Sequence, residues 1–280
     1  MTFDARLTLA RPDLAEAALE GVLKAQRFAR ATPMRCAASA AALRIAPDVS
    51  AEQSNQLLFG ERFDVLESKD GWAWGQAARD AYVGFVETAA LSDEGSAPTH
   101  WVSALRAFAF EAPAIRSAAR GPFSLNALVT VDAEEVEFLH AADAGWFHRR
   151  HLTPIGYVED DYVAVAERFV GAPYLWGGRD SAGVDCSGLV QQALFACGLA
   201  CPRDADQQAA LGEPAPADAL IRGDLVCWPD HIGIMLDGER LLHASAFLMQ
   251  TALEPLAEVA RRVENAGRGL PTAYRRLARP

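Results

Sequence analysis

Residues 183–198 constrain the chain more than any other stretch, because they place a cysteine at the start of an apolar helix. Apolar residues follow Cys186 at helical spacing, and Gly198 is typical of a helix C-terminus. Free backbone N–H groups at a helix N-terminus favour an anion, so we expect a lowered pKa and a nucleophilic thiolate at Cys186. A small buried hydrophobe is the alternative role, and the polar neighbours Asp185 and Ser187 argue against it.

A thiol nucleophile requires a base, and the last two histidines of the chain, His231 and His243, are the candidates. They flank an Asp-Gly turn in a strand-rich segment. A three-residue loop over 236–238 would pair Met235 with Glu239, and His231 with His243 on the same face of the hairpin. A two-residue loop would place the two rings on opposite faces. A catalytic pair therefore requires the longer loop, and two unrelated core histidines are the alternative.

The 280 residues exceed the length of about 100–200 that is usual for one domain. Apolar residues near the N-terminus recur at helical spacing. Short strand-like runs over 57–86 are separated by turn signals, and 128–155 repeats their order less closely. We predict a helical segment over 1–30, β-modules over 31–92 and 93–155, and a C-terminal domain over 156–280.

Two sets of motifs resemble known families. The C-terminal set is PYLWGG (173–178), DCSGLV (185–190), RGDL (222–225), HIGI (231–234) and HA (243–244). It resembles the NlpC/P60 cysteine peptidases, papain-like hydrolases of bacterial cell-wall peptides. The upstream set, GE (60–61), VL (65–66), DGW (70–72) and YVGFV (82–86), resembles a bacterial SH3-like barrel. The resemblance implies an α+β fold, with a papain-like catalytic domain preceded by two small SH3-like β-barrels.

This architecture is similar to that of the family's γ-D-glutamyl-L-diamino acid endopeptidases, and the resemblance assigns roles to individual residues. The nucleophile falls on Cys186, the base on His231 and the third polar residue on His243. Substrate ligands fall on Asp185, Ser187, Tyr174 and Arg203, and a site-closing tyrosine of the first barrel falls on Tyr82, with Trp74 as the alternative.

The resemblance also gives the two charged ligands a chemical purpose. A carboxylate at Asp185 opposes formation of a thiolate at the neighbouring Cys186. The free amine of an N-terminal L-Ala would account for a carboxylate at this position. The guanidinium of Arg203 suits the free carboxylate of a γ-linked D-Glu, and a surface charge is the alternative. Two residues depart from the family pattern. Asp230 would raise the pKa of His231 if it pointed inward, and Cys227 stands where phenylalanine is common, as a core substitution.

The amino-acid composition limits which binding partners, cellular location and cofactors we expect. The net charge of -11 disfavours nucleic acid and anionic membranes. We find no apolar signal-peptide core and no run of roughly 18 apolar residues, so we expect a cytoplasmic protein without a membrane partner. Five cysteines are an odd number, which fits free thiols in a reducing compartment. Cys197 and Cys201 lack a second ligand pair, so we expect no metal and no other cofactor.

The resemblance to the NlpC/P60 peptidases implies a thiol peptidase with a Cys-His-His mechanism that acts on stem peptides. The expected bond joins γ-D-Glu to diaminopimelate, or to L-Lys, in a peptide with a free N-terminal L-Ala, and the expected role is recycling of murein peptides. Two alternatives stay open. One is a Cys-His amidase or acyltransferase of the same superfamily, and the other is a non-catalytic module that binds the cell wall.

Overall fold

A computed structural model describes residues 3–278 and divides the chain into two compact units, Met1–Ile155 and Gly156–Pro280. Strands dominate the first unit. Helices pack on a sheet in the second, so the chain has the predicted α+β character. Within the described residues, the longest helix has 11 residues, and no helix is long and apolar enough to cross a membrane.

The first part of the N-terminal unit is an antiparallel sheet with the strand order β5-β4-β8-β7-β6-β3-β9. Its strands are β3 (Thr32–Cys36), β4 (Ala40–Arg44), β5 (Gln53–Leu58), β6 (Arg62–Lys69), β7 (Trp72–Ala77), β8 (Val83–Glu87) and β9 (Leu91–Asp93); β1 and β2 precede them. Asp70 and Gly71 join β6 to β7 with φ values of 50° and 84°, as a two-residue hairpin turn requires. Leu43, Leu57 and Phe63 are fully buried in the core of this module.

The predicted N-terminal helix over 1–30 is wrong. Strands β1 (Leu14–Glu16) and β2 (Arg27–Ala29) form a parallel pair, and a single 3-10 turn occupies Ala17–Leu19. Gly21 has a φ of 80°, which breaks a right-handed helix, and Val22 is exposed. The apolar spacing in this segment therefore does not mark one buried helical face.

The rest of the N-terminal unit forms a second small β-module. Its strands are β10 (His100–Val102), β11 (Arg106–Phe110), β12 (Ala119–Ser124), β13 (Leu128–Val129), β14 (Val131–Glu134), β15 (Phe138–Ala141), β16 (Gly145–His148) and β17 (Leu152–Pro154). They form a five-stranded sheet, β12-β11-β16-β15-β14, and a three-stranded sheet, β13-β10-β17. Aromatic residues fill the core, with Phe123 packed edge-on against both Phe59 and Phe147.

The C-terminal unit contains an antiparallel sheet with the order β20-β25-β21-β22-β23-β24. The strands are β18 (Arg179–Asp180), β19 (Gly183–Val184), β20 (Glu213–Pro214), β21 (Leu225–Trp228), β22 (His231–Met235), β23 (Arg240–Ser245), β24 (Gln250–Pro255) and β25 (Ala273–Arg276). The helices are α1 (Tyr162–Glu167), α2 (Cys186–Ala196), α3 (Ala205–Gln208) and α4 (Leu256–Asn265). Helix α2 packs against β22 and β23. It begins and ends where the sequence predicts, and Gly198 has the left-handed φ of 71° expected at its end.

The three-residue loop between β22 and β23 lies one residue later than predicted, because the backbone N–H of Leu236 donates to the carbonyl of Arg240. Met235 pairs with Leu241 instead of Glu239, and the side chain of Asp237 stabilises the turn by accepting two backbone N–H bonds. The predicted direct pairing of His231 with His243 is therefore wrong. However, the register moves by two residues, and side chains alternate with a period of two. Both histidines thus stay on the same face of the sheet.

Candidate active site

Cys186 is the first residue of α2 and is almost completely buried. Asp185 caps the helix by accepting the backbone N–H of Gly188 at 2.7 Å. A side chain at Gly188 would meet the carbonyl oxygen of Gly178 at 2.2 Å, so the glycine lets the PYLWGG loop approach the helix. The motif glycines therefore fix the loop over the first turn, next to the thiol.

The pKa of Cys186 is raised to about 12, and the predicted lowering is wrong for the free protein. Burial is the main cause, because it disfavours the thiolate, and the carboxylate of Asp185 adds to it. Backbone N–H groups of Ile232 and Ser187 and the guanidinium of Arg203 oppose this change. The resting thiol is therefore protonated, and a base must remove its proton during attack.

A series of hydrogen bonds leads from His231 to an ion pair. His231 Nε2 lies 2.8 Å from His243 Nδ1, and His243 Nε2 lies 3.0 Å from the carboxylate of Glu254. Arg262 donates to both oxygens of Glu254, at 2.8 and 2.7 Å. The rings of the two histidines meet edge to face on the sheet. Glu254 and Arg262 were not predicted from the sequence.

This series determines which nitrogen of each ring carries the proton. Arg262 lowers the pKa of Glu254, which is ionised and can only accept. His243 therefore donates from Nε2, and its Nδ1 accepts the Nε2–H of His231. The remaining nitrogen, Nδ1 of His231, is left with a free lone pair. It is therefore the nitrogen of His231 that can accept a proton.

Burial lowers the pKa of His231 to about 3, and repulsion by His243 and the arginines Arg262 and Arg268 contributes further. The carboxylate of Asp230 pairs with Arg268 at 3.1 Å, and it is not among the causes that shift the pKa of His231. His231 is therefore neutral at rest. It becomes charged only when it takes the thiol proton.

The low pKa of His231 predicts an unusual pH profile. An imidazole base works above its pKa, so an ordinary value of about 6.5 would remove most activity by pH 5. We expect kcat/KM to change less than about twofold between pH 7.5 and pH 5, because the base is still neutral there. Initial rates in buffers of constant ionic strength measure this. An acidic limb centred near pH 6.5 would contradict it.

Replacement of Glu254 tests the direction of the hydrogen bonds that lead from His231 through His243 to Glu254. In Glu254→Gln, the amide oxygen faces the charged Arg262 and the amide N–H₂ faces His243. This reverses both imidazole tautomers and protonates Nδ1 of His231. We expect kcat/KM to fall about 100-fold or more, as expected for a base held in the wrong tautomer.

The matched control is Glu258→Gln, an exposed acid on the first turn of α4. It should retain the activity of the unchanged protein. Imidazole ¹⁵N chemical shifts report the tautomers separately from stability. Unchanged shifts in Glu254→Gln would contradict the assigned proton positions.

The predicted substrate ligands Asp185 and Arg203 face each other as a buried ion pair. Arg203 is 1% exposed and donates to the two carboxylate oxygens at 3.0 and 2.6 Å. It also donates to the hydroxyl of Ser187 at 2.8 Å, so the surface-charge alternative for Arg203 is wrong. The pair neutralises the carboxylate that opposes thiolate formation.

Tyr174 is half-buried, and burial raises its pKa, with the charges of Cys186 and Asp185 as the next causes. Its phenol is therefore near the thiol and is protonated at neutral pH. Tyr82 lies in the N-terminal unit, where its side chain belongs to the buried core of the first β-module. Its role in closing a site stays a prediction, and the alternative, Trp74, is likewise buried in that unit.

Two family models match the chain. The NlpC/P60 family matches residues 171–258, and the bacterial dipeptidyl-peptidase Sh3 domain matches residues 43–91. The probable endopeptidase NlpC of Escherichia coli is 32% identical over 116 residues, which cover 36% of this chain and 75% of that protein. The chain belongs to the NlpC/P60 family. Its first β-module is the SH3-like domain that the sequence predicts.

Other NlpC/P60 relatives share longer or more similar regions. The γ-D-glutamyl-L-lysine dipeptidyl-peptidase of Bacillus subtilis is 36% identical over 93 residues, but this region spans only 31% of that protein and 30% of this chain. Dipeptidyl-peptidase 6 of Lysinibacillus sphaericus is 24% identical over 71% of this chain and 82% of its own length. A crystal structure of an NlpC/P60 family protein from Bacillus cereus has a TM-score of 0.75 at 18% identity, covering 89% of this chain and all of that one. The family and the relatives' names indicate a cysteine peptidase.

Proposed function

We propose that this protein hydrolyses the bond between γ-D-Glu and the diamino acid of cell-wall stem peptides that have a free N-terminal L-Ala. The observation that carries the proposal is the series of hydrogen bonds that leaves Nδ1 of His231 able to accept a proton. The next residue, Ile232, brings its backbone N–H to the thiol of Cys186 at the start of α2. The name of the relative from Bacillus subtilis, a γ-D-glutamyl-L-lysine dipeptidyl-peptidase, supports a substrate of this class.

The reaction starts with the neutral thiol. The sulfur of Cys186 attacks the γ-carbonyl carbon of D-Glu while its proton passes to Nδ1 of His231. Backbone N–H groups in the first turn of α2 stabilise the oxyanion of the tetrahedral intermediate. His231 then gives its proton to the leaving amine, the C–N bond breaks, and a thioester remains on Cys186.

Hydrolysis of the thioester reverses these roles. His231, neutral again, takes a proton from water, and the hydroxide attacks the thioester carbon. The C–S bond breaks, and the imidazolium returns its proton to the sulfur. The products are L-Ala-γ-D-Glu and a peptide or amino acid that begins with the diamino acid. His243 and Glu254 hold Nδ1 of His231 in the correct protonation state in both halves.

The contacts of Asp185 indicate where the free amine of L-Ala would bind. That carboxylate accepts five hydrogen bonds, from Gly177, Gly188, the hydroxyl of Ser187 and two nitrogens of Arg203. This exceeds the roughly four lone-pair positions of a carboxylate. The Ser187 contact is the longest, at 3.3 Å. We propose that a substrate ammonium replaces this hydroxyl, while Arg203 keeps the rest of the pair in place.

A comparison of two peptides tests the amine recognition. One is L-Ala-γ-D-Glu-diaminopimelate, and the other is the same peptide with its amine acetylated, which removes the positive charge. We expect cleavage of the free peptide only, measured by mass spectrometry of the products. Equal cleavage of both would remove Asp185 as an amine ligand. Cleavage of neither would favour the amidase or acyltransferase alternative.

We further propose that the protein works in the cytoplasm, on wall peptides that have been taken up for recycling. All five cysteines are free thiols, which is usual where disulfides are kept reduced. Cell fractionation with an antibody tests this, with a cytoplasmic enzyme as the marker. Recovery of the protein in the envelope or the medium would contradict it.

A further inference from the structure

A cavity of about 290 Å³ lies beside the catalytic histidines. Its lining includes His231 and His243, together with Asp230, Phe247, Arg262 and Arg268. Neither Cys186 nor Asp185 lines it. The cavity therefore meets the base of the reaction without meeting the nucleophile or the proposed amine ligand.

The mechanism decides which half of the substrate this cavity can take. The acyl half of the peptide stays bonded to the sulfur of Cys186. The leaving amine must contact His231, because that imidazole protonates it as the C–N bond breaks. Because His231 lines this cavity and Cys186 does not, the cavity adjoins the leaving half of the substrate. The cavity is called the leaving-group cavity below.

Two opposite charges line the leaving-group cavity. The carboxylate of Asp230 and the guanidinium of Arg268 are 3.1 Å apart, and their side chains are 49% and 61% exposed. One contact leaves most of the lone pairs of the carboxylate and most of the five guanidinium N–H groups available to a ligand. A group with an adjacent ammonium and carboxylate can therefore bind to both without separating the pair.

An apolar surface lies beside these charges. The ring of Phe247 is largely exposed, and the guanidinium of Arg262 holds it by stacking 4.6 Å from the ring centroid. Arg262 is itself fixed by its two bonds to Glu254. A short chain of methylene groups fits against such a ring. The cavity thus combines an apolar wall with a paired anion and cation.

We propose that the leaving-group cavity binds the side chain of the diamino acid and selects one that ends in both an ammonium and a carboxylate. Diaminopimelate has such an end, whereas lysine has the ammonium alone. In this arrangement Asp230 receives the ammonium, Arg268 receives the carboxylate and Phe247 covers the methylene groups. This assignment rests on the proposed function and adds the identity of the diamino acid to it.

Two peptides and two variants test the assignment. The substrates are L-Ala-γ-D-Glu-diaminopimelate and L-Ala-γ-D-Glu-L-Lys, which differ only in the terminal carboxylate. We expect the unchanged protein to prefer the diaminopimelate peptide by about tenfold in kcat/KM, the value of one charge-assisted hydrogen bond. Arg268→Gln should remove this preference by slowing only that peptide. Asp230→Asn should slow both peptides to a similar degree, because both carry the ammonium.

Arg261→Gln is the matched control, since Arg261, which is in α4, is exposed like Arg268 but does not line the cavity. It removes the same charge and should leave the preference unchanged. A preference retained in Arg268→Gln, or equal rates on both peptides in the unchanged protein, would overturn the assignment. Cleavage of neither peptide by the unchanged protein would instead contradict the proposed function.

Discussion

Cys186→Ala should lower kcat by at least about 10⁴-fold, the effect expected when a covalent nucleophile is removed. The variant still binds a peptide, but it forms no thioester, and His231 has no thiol proton to accept. The change deletes a single sulfur atom at a buried site, so we expect a loss of only about 1 kcal/mol in the free energy of unfolding. Turnover measured by release of the diamino acid, together with chemical denaturation, separates activity from folding.

Cys197→Ala is the matched control. Cys197 is buried at the other end of the same helix, and it does not meet the histidines. Its replacement removes the same sulfur atom and should leave kcat within about twofold of the unchanged protein. Full activity of Cys186→Ala, or equal losses in both variants, would refute the assignment of the nucleophile.

Arg203→Met should lower the free energy of unfolding by about 3–5 kcal/mol, because it leaves the carboxylate of Asp185 buried without a counter-charge. The ion pair is almost completely excluded from solvent and has two short contacts. The same change removes a positive charge that lowers the pKa of Cys186. We therefore expect slower alkylation of the thiol by iodoacetamide, in addition to the lower stability found by denaturation.

The matched control for Arg203 is Arg222→Met. Arg222 also pairs with carboxylates, Asp161 and Glu167, but its side chain is 37% exposed. A solvent-exposed pair contributes about 0–1 kcal/mol, so this variant should remain close to the unchanged protein in stability. Similar losses in the free energy of unfolding for the two variants would show that burial does not determine how much the Asp185–Arg203 pair contributes to stability.

Local sequence patterns predicted the parts of the site that are formed by residues close together in the sequence. Helix α2 and its cap are encoded by a short run of apolar spacing, a capping Asp185 and a terminal Gly198. The two histidines were placed on one face although the register of the hairpin differs by two residues from the predicted one. An even shift in register preserves the face. The family motifs then assigned the domain, as the match over residues 171–258 confirms.

The predictions that were wrong concern properties that depend on burial in the folded protein. Helix position alone favours a lower pKa for Cys186, but the depth of the thiol is not visible in the sequence, and burial raises the pKa instead. Apolar spacing over 1–30 indicated a helix, whereas Leu14 is buried in a short parallel strand pair. In both cases the surroundings outweigh the local preference.

Glu254 was missed because it becomes visible only when two strands are aligned. In β23 and β24, His243 pairs with Ala252, so Glu254 is the diagonal neighbour of the histidine on the same face. Arg262 comes from helix α4, and no local spacing connects it with the hairpin. A sequence prediction of this series would have required the register of the third strand.

The most direct test of the account is mass spectrometry of the protein during its first turnover of L-Ala-γ-D-Glu-diaminopimelate. After rapid acid quenching, we expect the peptide that contains Cys186 to carry L-Ala-γ-D-Glu as a thioester. A burst of free diaminopimelate equal to the enzyme concentration should accompany it. An adduct on another residue, or a first released product other than diaminopimelate, would contradict attack by Cys186 on the γ-D-glutamyl bond.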